Sequence, residues 1–168
     1  MKRIVITGGP GSGKTTIVDE LKRQSFICFE EVSRDIISNM NITTVHKDLP
    51  FEEHIFNIRK QDFHKAHNDL QFYDRSMLDT LAYMQANNHA IPKYMISDCE
   101  DHRYFSSVFI LPPWNDIYTV DRERLESFEE AKTIYHELTQ VYSQFNYSLI
   151  EVPKLSPLLR TKFILSKI

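Results

Sequence analysis

Outside residues 8–13 the chain contains no glycine. Gly8, Gly9, Gly11 and Gly13 lie in one loop of a 168-residue sequence, where average usage near 7% would scatter roughly a dozen. None is left for a turn or a helix cap elsewhere, so backbone freedom is concentrated in that loop. Cysteine is scarce as well: Cys28 and Cys99 lack metal-ligand spacing and read as reduced thiols. Apolar runs are short, none longer than Val108-Phe109-Ile110-Leu111, far below the roughly 18 residues of a membrane span. An excess of basic charge is missing too. The net charge is −3, which argues against a dedicated nucleic-acid binder. The seven histidines are scattered, with only His64 and His67 at helical i,i+3 spacing, and no zinc-hydrolase pattern accompanies them. No repeat, low-complexity tract, interdomain linker or secretory signal is evident. Residues 1–168 are therefore expected to form a single cytoplasmic domain.

What the chain does have is Gly8-Gly9-Pro10-Gly11-Ser12-Gly13-Lys14-Thr15, a match to G-x-x-x-x-G-K-[ST]. The apolar segment Lys2–Thr7 ahead of it reads as a buried strand. Thr16 to Arg23 behind it reads as a helix with Ile17, Val18 and Leu21 on one face. Strand, glycine loop and helix form the context of a phosphate-binding P-loop. Its backbone N–H groups and the helix N-terminus would cradle a polyphosphate. Lys14 would reach the β- and γ-phosphates, and the Thr15 hydroxyl would ligate Mg²⁺, with Thr16 following. Lys14 is expected to be a solvent-side charge. The predicted cofactors are ATP and Mg²⁺.

Strand and helix signals alternate along the rest of the chain, predicting a parallel sheet wrapped by helices. Strands are expected at 25–29, 70–73, 107–111 and 147–152. Helices are expected at 31–40, 50–67, 77–87, 93–102, from Ser127 onward, and from Ser156-Pro157 to the end. Asn41 to Leu49 reads as irregular. Ser127-Phe128-Glu129-Glu130 is a capping box. The helix behind it places Ala131, Ile134, Leu138, Val141, Tyr142 and Phe145 on one stripe. Five strands with a P-loop after the first make a doubly wound α/β domain, with its ligand beyond the carboxyl ends of the strands.

Asp74 ends the third strand in the Walker-B manner and would hold Mg²⁺ opposite Thr15. A helix N-cap is its structural alternative. Arg75 would bind substrate, gripping the acceptor or the transferred phosphate, or else be a solvated surface arginine. At the end of the second strand, Glu30 or Glu31 could accept the proton of an attacking hydroxyl. Of these Glu31 is favoured, with Arg34 orienting the substrate. Pro112 to Glu126 holds the place of a mobile lid and carries Tyr118, Arg122 and Arg124. A lid arginine would neutralise charge on the transferred group. Local salt bridges with Glu123 and Glu126 would equally account for the two arginines.

The P-loop, Glu31-Val32-Ser33-Arg34, Phe72-Tyr73-Asp74-Arg75-Ser76, Leu111-Pro112-Pro113-Trp114 and Asp121-Arg122-Glu123-Arg124 together resemble the NadR-type ribosylnicotinamide-kinase-like family of small P-loop, AAA-labelled ATPases. The resemblance spans essentially the whole chain. It implies a three-layer α/β/α nucleoside- or nucleotide-kinase fold, strand order 2-3-1-4-5, a kinase-like lid and Mg-ATP as phosphoryl donor. The Asp74-Arg75-Ser76 run looks more like the deoxynucleoside and thymidylate kinases. The chain lacks N-K-x-D, and no D-x-x-G follows the third strand, which argues against a GTPase. Two readings stand: a kinase for a small nucleoside, nucleotide or related metabolite, or a regulatory ATP- or GTP-binding ATPase that signals to a partner.

Overall fold

The computed structural model describes residues 2–33, 49–65, 70–118 and 126–168. Five strands form one parallel sheet: β1 (Lys2–Gly8), β2 (Ile27–Phe29), β3 (Leu70–Asp74), β4 (Ser107–Leu111) and β5 (Ser148–Glu151). Their order is β2-β3-β1-β4-β5. The helices among the described residues are α1 (Lys14–Arg23), α2 (Leu49–His64), α3 (Met77–Ala86), α4 (Lys93–Asp101), α5 (Phe128–Gln144) and α6 (Pro157–Leu165), with a short 3₁₀ turn at Asn115–Ile117.

The period of two along each strand sorts the core into two layers. Ile4, Ile6, Phe72, Phe109 and Leu111 face α1 and α6, burying Ile17, Leu21 and Ile164. Val5, Tyr73, Val108 and Ile110 face the other way, against Phe56, Leu78, Met95, Leu138 and Tyr142. Fully buried strands of this kind need helices on both faces, as parallel sheets do.

Helix ends follow local chemistry. Ser127 and Glu130 complete the expected capping box of α5. A second box, Ser76 with Asp79, opens α3. α1 starts differently: Gly13 is its N-cap at φ 85°, no side chain caps it, and its first turn holds no acid. Its N-terminal N–H groups are left for an anion.

β2 is shorter than its apolar run suggests. Ser25 takes the left-handed φ of 66°, and the N–H groups of Ser25 and Phe26 donate to Lys22 and Leu21, closing the end of α1. β5 loses Tyr147 to a similar bond, donated to the Tyr142 carbonyl. Of the helix expected at 31–40 only Glu31 to Ser33 are described; the remainder and most of the irregular stretch 41–49 lie outside the described residues.

Candidate functional site

The carboxyl ends of β1, β2 and β3 meet in register, with Ile6 opposite Asp74 and Phe29 opposite Tyr73. This places the P-loop, Glu31 and the Asp74-Arg75 pair side by side.

The loop is bonded to itself. Ser12 Oγ donates to the Gly9 carbonyl at 2.9 Å. Lys14 Nζ donates to the carbonyls of Gly8 and Gly9, both at 2.9 Å, and to Ser12 Oγ at 3.4 Å. Lys14 is thus not the solvent-side charge expected from sequence; it is 7% exposed. Its own loop's carbonyls take the ammonium that water would otherwise hold. Burial first, and then the Arg75 cation, lower its pKa to about 7. Thr15 and Thr16 are exposed at the start of α1, and Thr16 Oγ1 donates to the Gly13 carbonyl at 2.8 Å. Gly11 sits at φ 73° with the Tyr118 ring against it, and a Cβ there would lie 2.4 Å from that ring. Tyr118 also packs on Phe128 at 5.2 Å between centroids and donates its hydroxyl to the Glu126 carbonyl.

Glu31 lies between two arginines. Arg75 Nε donates to one carboxylate oxygen, and Arg59 Nη2 to the other at 3.1 Å. Ser33 Oγ adds a bond at 2.7 Å. The Glu31 side chain is 9% exposed. Burial alone would raise its pKa, but Arg75 and then Arg59 outweigh burial and hold it well below the usual carboxylate range.

Arg75 is equally buried rather than a surface arginine, at 8% exposed. Its backbone takes a left-handed φ of 76°, a conformation costing a non-glycine residue about 1–3 kcal/mol. The surroundings impose it. The Arg75 N–H donates to the Ile6 carbonyl at 3.0 Å, and Nη1 donates to the Gly8 carbonyl at 3.2 Å. The guanidinium stands 5.0 Å from the Tyr83 ring centre.

Asp74 is 5% exposed, and among the described residues its Oδ1 has no hydrogen-bond partner. The N-cap of α3 is Ser76, whose hydroxyl accepts from the Leu78 N–H, so Asp74 is not the cap. Burial raises its pKa to about 6, with Lys14 pulling the other way and Glu31 adding to the rise. A buried carboxylate oxygen with no partner among the described residues is a hard-oxygen donor of the kind Mg²⁺ takes. Asp74→Asn, which keeps the shape and removes the charge, is expected to weaken Mg²⁺-dependent turnover far more than nucleotide binding. Mg²⁺ titrations of rate and of affinity on one preparation check this; equal losses would assign Asp74 to nucleotide binding alone.

Two residues here escaped the sequence reading. Arg59 sits on the buried stripe of α2, between Ile55 and Phe63. Arg160 is 2% exposed on α6, one turn before the buried Ile164. An arginine at helical spacing from buried apolar residues was the signal in both cases, although Glu52 and Thr161 are buried on the same two helices. Arg34, Arg122 and Arg124 lie outside the described residues.

Comparison with known proteins agrees with this layout. The sequence matches the model of an AAA domain family over residues 3–157. No curated protein matches it. Among solved structures, the NadR protein in complex with NR superposes with a TM-score of 0.72 at 18% identity, covering 98% of this chain and 49% of that one. The chain thus spans about half of the NadR protein. Deoxyadenosine kinase from M. mycoides with bound dATP gives 0.71 at 18% identity, covering 99% and 98% of the two chains. Shikimate kinase from Aquifex aeolicus vf5 gives 0.58 at 17%, covering 98% and 94%. At such identities the likeness is one of fold. The chain belongs to the AAA domain family, and the solved structures it resembles share its fold.

Proposed function

We propose that this protein is a small-molecule kinase that transfers the γ-phosphoryl group of ATP to a hydroxyl of a nucleoside, nucleotide or related metabolite. The observation carrying the reading is the Glu31 carboxylate clamped by Arg75 and Arg59 beside the P-loop. A nucleotide-dependent switch has no need of an ionised carboxylate held against two arginines next to the phosphates. A kinase does, for an acceptor hydroxyl and the charge around it. The solved kinases of this fold, named for deoxyadenosine and shikimate, support a small-molecule acceptor.

Thr15 and Asp74 would hold Mg²⁺, which when bound neutralises charge on the β- and γ-oxygens. Lys14 would exchange the Gly8 and Gly9 carbonyls for those oxygens. The acceptor oxygen then attacks the γ-phosphorus, and the bond from that phosphorus to the β–γ bridging oxygen breaks. The hydroxyl proton passes to Glu31, leaving ADP and the phosphorylated acceptor. Held by both arginines, Glu31 is a weak base, so the acceptor must draw one of them toward itself as it binds. Arg75 and the lid arginines Arg122 and Arg124 are assigned to charge on the transferred group, Arg34 and Tyr118 to substrate positioning.

Thermal-shift measurements with Mg²⁺, a non-hydrolysable ATP analogue and a panel of nucleosides, nucleotides and hydroxylated acids test this reading. A ligand that binds the native state raises its stability by mass action. One acceptor class is expected to raise the melting temperature beyond the analogue alone. No additional shift from any class would favour the regulatory reading.

A further inference from the structure

Arg160 stands apart from the machinery above, yet both terminal nitrogens of its guanidinium donate to the Ser12 carbonyl in the middle of the P-loop, each at 3.1 Å. It is 2% exposed, and among the described residues no carboxylate pairs with it, burial being the one influence on its pKa. Burial lowers its pKa only to about 10, so it stays charged at neutral pH. A buried cation held by a carbonyl and an aromatic ring is costly without an anion. The loop it grips is built to receive one. Its third donor, Nε–H, is buried without a partner among the described residues.

The same side chain borders a cavity of about 470 Å³, lined by Gly11, Gly13, Trp114, Ile117 and Pro157 among others. The Trp114 ring centre lies 5.6 Å from the guanidinium carbon. That volume falls within the range of small-molecule sites, and it opens directly off the P-loop. The contact with the loop is close: a Cβ at Gly13 would stand 2.8 Å from Arg160 Nη1, and Gly13 needs its φ of 85° besides. In a trans peptide the C=O and N–H point opposite ways. Fixing the Ser12 carbonyl on Arg160 therefore turns the Gly13 N–H away from α6.

We infer that Arg160 is a positioning residue: it holds the P-loop in its phosphate-receiving shape and couples that shape to the nucleobase end of the donor, which enters the cavity beside Trp114. This rests on the nucleotide-binding reading of the P-loop. Inorganic tripolyphosphate, which has phosphates and no base, separates the two halves of the inference. Titration calorimetry with Mg²⁺ is run on the wild type, Arg160→Met and Trp114→Ala, with ATP and with tripolyphosphate as probes.

The wild type is expected to bind both probes, and Arg160→Met to weaken both by about 10- to 100-fold, the range for a lost charged hydrogen bond. Trp114→Ala is expected to weaken ATP while leaving tripolyphosphate unchanged. A loss confined to ATP in Arg160→Met would make Arg160 a base contact only and overturn the inference, as would unchanged affinity for both. Should the methionine variant not fold, Arg160→Lys decides, since it keeps the charge without the two-pronged grip. Weakening of both probes supports the inference, and wild-type affinity for both overturns it. A wild type that binds neither probe contradicts the P-loop reading itself.

Discussion

Replacing Glu31 with Gln is expected to slow phosphoryl transfer to the acceptor by about 10²–10⁴, the usual worth of a positioned general base. Background ATP hydrolysis should barely change, because water needs no carboxylate held for a hydroxyl acceptor. The substitution keeps the shape between Arg75 and Arg59 but removes the charge they share. Some loss of stability is expected too, since Arg59 then loses its carboxylate partner among the described residues and Arg75 keeps only Asp79, at 3.5 Å. Rates measured well below the variant's melting temperature, with and without acceptor, separate the effects. An equal fall in acceptor-dependent and background rates would make Glu31 a structural counter-ion.

Lys14→Met should cut turnover by at least about 10²–10³, by analogy with removal of one preorganised donor at developing charge. It carries a pH signature as well. Bonded to its own loop, Lys14 has its pKa lowered to about 7, whereas triphosphate oxygens favour the charged form. Below pH 7 the lysine is already protonated and affinity should be flat. Above pH 7 binding must take up a proton, so wild-type affinity should fall as pH rises. Calorimetry at pH 8 in buffers of different ionisation enthalpy would detect that uptake, and Lys14→Met should abolish it. Wild-type affinity that is flat from pH 6 to 9 would contradict the buried, proton-poor lysine. The empty protein should tolerate the change, because the Lys14 ammonium is held only by carbonyls and a hydroxyl of its own loop.

Much of the fold was legible because its signals are local. The P-loop sits between a strand and a helix within one short segment, and the α5 capping box spans four consecutive residues. The strand order agrees with the one implied by the family resemblance. Residues whose meaning depends on distant neighbours were less legible. Arg59 meets Glu31 across 28 positions, and Arg160 meets Ser12 across 148. No spacing rule reaches that far; the hint was an arginine one turn from buried apolar residues, Ile55 and Phe63 for Arg59 and Ile164 for Arg160. The burial of Lys14 was hidden for another reason. A lysine is normally a surface residue, and here the loop folds its own carbonyls over the ammonium. The N-cap alternative for Asp74 is excluded because Ser76 and Asp79 form the capping box of α3 in its place.

Label transfer from [γ-³²P]ATP, with Mg²⁺ and the acceptor class chosen by thermal shift, tests the kinase reading most directly. Label is expected in the acceptor, in amounts equal to the ADP formed, with little free phosphate. Label recovered only as free phosphate, at a rate no acceptor changes, would contradict a kinase and leave an ATPase.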